Sequence, residues 1–149
     1  MTSSFSCIHV RVYYEDTDAG GVVYYANYLK FAERGRTEWL REIGANHRML
    51  ADEHGLVFVV KSLSVDYCAS AKLDDLLEVQ TELVALGAAT LDMRQIIRHE
   101  DKTLAVMTVK LAAIDGAGKV LRLPRWLREA AAGRMANVTK EFPSPCGEG

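Results

Sequence analysis

Residues 13 to 36 read YYEDTDAGGVVYYANYLKFAERGR, and within them Asp16 and Asp18 follow an aromatic run and precede Gly20 and Gly21. Just past the glycines the apolar spacing changes to that of a helix. The acidic turn therefore faces a helix start, with its unpaired amides and the positive end of its dipole. A carboxylate in such a place stays ionised. An aspartate, with a reference pKa of about 3.9, is a weak general base near pH 7. It is a better nucleophile, or positioner of water, toward an acyl carbon that carries a good leaving group. Thiolates qualify, because a thiol has a pKa of about 8.5, whereas amines and alkoxides leave poorly. The helix amides could also bind the oxyanion that forms on the acyl carbonyl, and losing one such donor typically costs ~10² to 10³ in rate. Thioester hydrolysis thus suits these residues better than peptide or ester cleavage.

Plainer readings stand beside this one. An aspartate before a helix is commonly a cap or a turn former. The run DTDAGGVVYYAN has Asp at positions one and three and Gly at position six of a calcium loop, but Gly20 occupies position five and Asn27 replaces the bidentate Glu at twelve. His47 and His54 share a helix face without a third ligand. No metal and no cofactor are expected.

The elements that must hold this turn can be read from periodicity. IHVRVYYED is β-branched and aromatic and reads as a first strand. From Asn27 to Ile43 the residues Tyr28, Ala32, Gly35, Trp39 and Ile43 recur at spacings of four and three, with Leu29 and Leu40 widening the stripe. Asn27 is placed to cap this helix and Gly44 to end it. Ala32 and Gly35 would let the helix backbone lie close against a flat partner such as a sheet, which would offset the ~1 kcal/mol of helix propensity that Gly35 costs. ANHRMLADEHG reads as a shorter helix. Four strand-like segments follow, LVFVVKSLSVDYC, LLEVQTELVAL, TLDMRQIIRH and TLAVMTVKLAAI, the last running into a DGAG turn. Short connections favour an antiparallel meander. PRWLREAAAGR, with Pro at a helix's first position, closes the domain near Arg134. The class is α+β: a long antiparallel sheet with an apolar helix across its face.

At 149 residues the chain is expected to form one domain, residues 1–134, followed by a tail, 135–149, whose TKEFPSPCGEG sequence reads as disordered. With 26% charged residues and a formal net charge of −2, a general nucleic-acid-binding role has no electrostatic support. Cys7, Cys68 and Cys146 form no C-x-x-C pair, and the amino end has no secretory apolar run, which points to a cytoplasmic protein with free thiols. No run approaches the ~18 apolar residues of a membrane span.

YEDTDAGGVVYYANYLKFAERGRTEWL strongly resembles the signature of the 4-hydroxybenzoyl-CoA thioesterase family of hotdog-fold proteins, particularly the bacterial branch associated with the Tol-Pal envelope system. The likeness continues through FVVKSLSVDYCASAKLDDLLEVQTEL to about residue 130. It implies a hotdog fold, in which a long antiparallel sheet wraps around a central α-helix, here the helix from Asn27 to Ile43. It implies an acyl-CoA thioesterase in which Asp18 is the nucleophile or the base toward water and the Tyr25 backbone amide polarises the carbonyl. Phe58, Val59, Val60 and Lys61 match a segment that lines the acyl and pantetheine cleft. The acyl group would be short aliphatic or aromatic, with acyl carrier protein as another candidate donor. The site would lie between two subunits of a homodimer or homotetramer. Many members of the Tol-Pal branch carry His where this chain has Tyr25, and Ala-Pro-Ala where it has Ala-Ser-Ala; the amide role survives the first change.

The main alternative is a protein that binds acyl-CoA or acyl carrier protein and supports envelope or phospholipid machinery with little catalysis. A hotdog dehydratase is weaker, since no histidine lies in the signature to act as base. Glu33 and Glu38 fit a solvated helix face better than a catalytic role. Lys61, Lys72, Arg122 and Arg125 could meet coenzyme A phosphates but read as solvated, and Tyr13, Tyr14, Tyr24 and Tyr28 as core or interface aromatics.

Overall fold

The computed structural model of the protein describes residues 5–135. Five strands form one antiparallel sheet: β1 (Phe5–Arg11), β2 (Val57–Tyr67), β3 (Leu76–Leu86), β4 (Thr90–His99) and β5 (Lys102–Ile114). Three α-helices accompany it: α1 (Asn27–Glu42), α2 (His47–His54) and α3 (Arg125–Ala132). The α+β class and the helix laid across a sheet are as expected. The sheet order is β1-β3-β4-β5-β2, so only β3, β4 and β5 form a meander. Periodicity identifies strands but not neighbours, and β2 crosses to the far side of β5 instead of pairing with β3. Three strand spacings of about 4.8 Å separate β2 from β3. The segment between Tyr67 and Leu76 is long enough to cross them. Along the way Cys68 and Ala69 donate to Leu104 O of β5, and Asp74 donates to Val12 O beyond β1.

Alternation puts Leu77, Val79, Thr81 and Leu83 of β3 on one face with Leu91, Met93, Gln95 and Ile97 of β4, all buried. Helix α1 covers this face, packing on β1, β3 and β4. Its buried residues are Asn27, Tyr28, Phe31, Ala32, Gly35, Trp39 and Leu40. Ile43, assigned to the stripe by spacing, is only half-buried, while Phe31, which the spacing does not single out, is fully enclosed. Each large side chain so enclosed stabilises the fold by about 1.5–3 kcal/mol. Gly35 sits where the backbones meet: a Cβ there would lie 2.8 Å from both Thr81 Oγ1 and Val79 Cγ1.

Local chemistry sets most boundaries. Asn46 Oδ1 accepts from Met49 N at 2.8 Å to cap α2, and Gly55 closes it with φ at 61°. Gly44 follows α1 with φ at 91°. Asn27, by contrast, is the first residue of α1 and not its cap; the capping position is Ala26 and lacks a side-chain bond. Pro124 likewise stands just before α3. β1 stops at Arg11, and Tyr14–Asp16 form a 3-10 turn where the sequence suggested more strand. Cys7 is free and exposed whereas Cys68 is disulfide-bonded, so free thiols are not the rule along this chain. The segment expected to be disordered lies, from residue 136 on, outside the described residues. No described helix is long and apolar enough to cross a membrane.

Candidate active site

The segment between β1 and α1 is a stitched turn. Asp16 Oδ2 accepts from Tyr13 N at 2.8 Å and closes the 3-10 turn. Asp18 N donates to Val22 O at 2.9 Å, Gly21 N returns to Asp18 O at 3.0 Å, and Thr17 bridges Val23, which makes a miniature hairpin. Gly21 has φ at 81°, a conformation side chains resist, which accounts for a glycine there. The hairpin is anchored from below by Val23 N donating to Ala71 O at 2.9 Å.

Asp18 is exposed, and its Oδ1 accepts from Gly20 N at 2.9 Å. That bond orients the carboxylate while leaving its other oxygen open. Tyr14, Thr17, Ala19, Gly21 and Leu73 complete a cavity of about 390 Å³ around it. The helix start is tied to the same turn: Tyr24 N and Asn27 Nδ2 both donate to Asp16 O, at 3.0 and 2.9 Å. Asp16 thus holds the turn together through its carboxylate and carbonyl, a positioning part that the spacing left undefined. Among the described residues, the amides of Tyr25 and Ala26 make no hydrogen bond. The amides of Asn27, Tyr28 and Leu29 are paired with the carbonyls of Tyr24, Tyr25 and Ala26. The unpaired N–H groups therefore sit in the turn just before α1, where with the helix's dipole end and the oriented carboxylate they make a corner with the parts for anion binding and nucleophilic attack.

Tyrosines wall this corner. The Tyr25 ring lies 4.8 Å from that of Tyr24 and meets Tyr67 of β2 edge-on at 5.8 Å. Tyr28 is buried, its ring 5.7 Å from Tyr67 and its hydroxyl accepting from Ala71 N at 3.0 Å. Burial pushes the phenols of both Tyr28 and Tyr67 above the ordinary tyrosine range. Tyr25 and Tyr67 keep 59% and 42% of their surface exposed, so their rings remain accessible to a ligand or a partner. The sequence signals neither Tyr67 nor Leu73, since only the crossing of β2 and the following loop brings them here.

Phe58, Val59, Val60 and Lys61 are not brought to Asp18 and Tyr25 within one chain. They occupy the other end of β2, with Val60 seven positions from Tyr67, about 23 Å at ~3.3 Å per residue. Lys61 falls at a bulge, where the register with β5 shifts between Val60 and Ser62. Val60 and Leu63 instead face Leu29, Lys30, Glu33 and Arg36 across a cavity of about 340 Å³. The Arg36 guanidinium is partly buried, which lowers its pKa from the usual arginine value, while Glu33 opposes that shift. His47 bonds Thr37 at 3.1 Å and His54 lies against Trp126. Among the described residues no group of three His, Cys, Asp or Glu could hold a metal ion.

The family model described as Thioesterase superfamily matches residues 20–106. An acyl-CoA thioesterase YbgC from Haemophilus influenzae is 49% identical over 122 residues, covering 81% of this chain and 90% of that relative. The crystal structure of a probable thioesterase from Bartonella henselae superposes with a TM-score of 0.77 at 41% identity, covering 80% of this chain and 99% of that one. A 4-hydroxybenzoyl-CoA thioesterase structure, only 16% identical and covering 87% of this chain and 99% of that one, has a TM-score of 0.81 and shows the shared fold. Helix, sheet and acidic turn therefore form the hotdog architecture, and the chain belongs to the thioesterase superfamily.

Proposed function

We propose that the protein hydrolyses acyl-CoA thioesters, water and acyl-CoA giving the free acid and coenzyme A, with Asp18 and the Tyr25 amide as its working parts. The observation that carries this reading is the pair of amides at Tyr25 and Ala26, unpaired among the described residues, across the Gly20-Gly21 turn from the oriented Asp18 carboxylate, with Tyr24 N and Asn27 Nδ2 tying the helix start to Asp16 O of the same turn. The acyl carbonyl oxygen accepts from the Tyr25 amide, which stabilises the negative charge that develops as the carbon becomes tetrahedral. Asp18 either attacks that carbon, giving an anhydride that water then opens, or draws a proton from the attacking water. In either case the carbon–sulfur bond breaks and the thiolate departs with the electron pair. Similarity to the YbgC acyl-CoA thioesterase supports the reaction class and the coenzyme A donor. Acyl carrier protein is the alternative donor. The cytoplasm, where acyl-CoA is held, is the proposed location, and service to the Tol-Pal envelope system the proposed context.

The working unit is proposed to be a homodimer, or a homotetramer in which two such dimers cover each other's exposed surface. β2 ends the sheet and exposes Val57, Val59, Val60, Leu63 and Tyr67, an apolar edge that needs cover. Antiparallel pairing of two β2 strands about Leu63 would set Val59 of one copy opposite Tyr67 of the other. Phe58 to Lys61 would then reach the Tyr25 corner from across the interface and line the acyl cleft.

Thiol release from short aliphatic, long aliphatic and aromatic acyl-CoA thioesters, with wild type beside Asp18→Asn, tests the reading. Turnover that vanishes in the variant upholds it and names the acyl class. Coenzyme A binding without turnover in either protein would replace it with the binding-protein reading.

A further inference from the structure

The middle of α1 carries a polar junction that the corner's chemistry does not use. Gln95 of β4 is fully buried, and its Nε2 donates to Ala32 O of α1 and to Thr81 Oγ1 of β3, both at 2.8 Å. Its Oε1 accepts from Arg36 Nη1 at 3.0 Å. Thr81 is equally buried and stands directly opposite Gln95 in the β3–β4 register. Gly35, between Ala32 and Arg36, brings the helix close enough for these bonds: a Cβ there would lie 3.1 Å from Gln95 Nε2 and 2.8 Å from Thr81 Oγ1. Apart from bonds at its two ends, Asn27 Nδ2 to Asp16 O, Ala71 N to the Tyr28 hydroxyl and Ser6 Oγ to Glu42 Oε2, the α1 face is aliphatic or aromatic, and such contacts are non-directional. They leave a helix able to slide or roll on its sheet. Hydrogen bonds of this geometry do not tolerate such movement.

We infer that Gln95 and Thr81 are positioning residues, which set the placement of α1 along the sheet and thereby aim the Tyr25 amide at the acyl carbonyl. Tyr25 is seven residues from Ala32, about 10 Å at 1.5 Å per residue, and the helix between them transmits a shift rigidly. An oxyanion donor works only within about 2.7–3.1 Å of its target, and a misplacement of about 1 Å can cost ~10² in rate. The inference rests on the thioesterase reading for its kinetic consequence, while the placement of the helix can be read without it.

The test replaces both partners at once, Gln95→Met with Thr81→Val, so that neither is left buried and unpaired; Ala32 O keeps its own helical acceptor role and Arg36 can reach water. Measured are kcat and KM on the best thioester, the unfolding midpoint, and the backbone amide signals of Tyr25 and Ala26 by NMR. Expected are a 10- to 100-fold lower kcat, KM within about twofold, and displaced amide signals at the helix start. Wild-type kcat in the folded variant overturns the inference. So does a loss of activity that merely follows the unfolding midpoint while the two amide signals stay in place. If the double variant fails to fold, Gln95→Glu decides by the same readouts, since a glutamate still accepts from Arg36 but cannot donate to Ala32 O. A wild type that turned over no thioester would sink the thioesterase reading, and the amide signals alone would then uphold or overturn the positioning of the helix.

Discussion

The two halves of α1 treat polar groups in opposite ways. At the middle, where Gly35 meets the sheet, Gln95 and Thr81 are buried and bonded to the helix and to each other. In the turn just before its start, the amides of Tyr25 and Ala26 have no partner among the described residues, and Asp18 holds one oxygen toward Gly20 and leaves the other open. An unpaired polar group is costly only when water is excluded. The exposed approach to the helix can therefore leave donors free for a substrate, while the side-chain amide of Gln95 and the hydroxyl of Thr81 are paired at the buried junction around Gly35. A corner with free donors and a rigid mount are built along one helix because the turn at its start is exposed while its middle is buried.

The largest expected effect tests the wet end. Asp18→Asn keeps the oxygen that accepts from Gly20 N, so the turn should hold and stability should stay within about 0.5 kcal/mol. Turnover should fall by about 10² to 10⁴, read as thiol release, and a variant near wild-type rate would remove Asp18 from the chemistry. Next comes the amide itself. Tyr25→Pro deletes an N–H that bonds nothing among the described residues, so it should fold and lose ~10² to 10³ in kcat, while Tyr25→Phe, which keeps the amide, should remain within a few-fold of wild type. Equal losses in both would shift the role from the backbone to the phenol.

The dry middle is probed through stability. Gly35→Ala should raise helix propensity by about 1 kcal/mol, yet its Cβ meets Thr81 Oγ1 and Val79 Cγ1 at 2.8 Å. Overpacking of ~1–3 kcal/mol should win, giving a lower urea midpoint; a stabilised variant would mean that the helix can lift off the sheet freely. Last, Asn46→Ala removes the cap of α2, away from both regions. It should cost about 1 kcal/mol in chemical denaturation and leave kcat unchanged.

Much of this molecule can be read from local pattern. The strands of β3 and β4 follow from strict alternation, and α2 from Asn46 and Gly55 at its ends. The small residues Ala32 and Gly35 point to close helix–sheet contact, and the contact is there. Local pattern misleads where a residue has a better distant partner. Asn27 looks like a cap, but its amide donates to Asp16 O and so ties the helix to the acidic turn. The run through Tyr14 looks like strand, but Asp16 folds it back through its bond to Tyr13 N. Strand order was not legible, because hydrophobic alternation is the same whichever neighbour a strand takes.

By itself the sequence determines that an acidic, glycine-bearing turn precedes an apolar helix, and that several alternating strands must cover that helix, because turn chemistry and side-chain periodicity act between residues close in the chain. Tertiary structure alone decides that β2 lies at the sheet's far edge, that Tyr67 closes on Tyr25, and that Gln95 reaches Ala32 from a position 63 residues away. Those contacts depend on where whole elements dock, and docking is set by shape and by the pairing of buried polar groups across the assembled core.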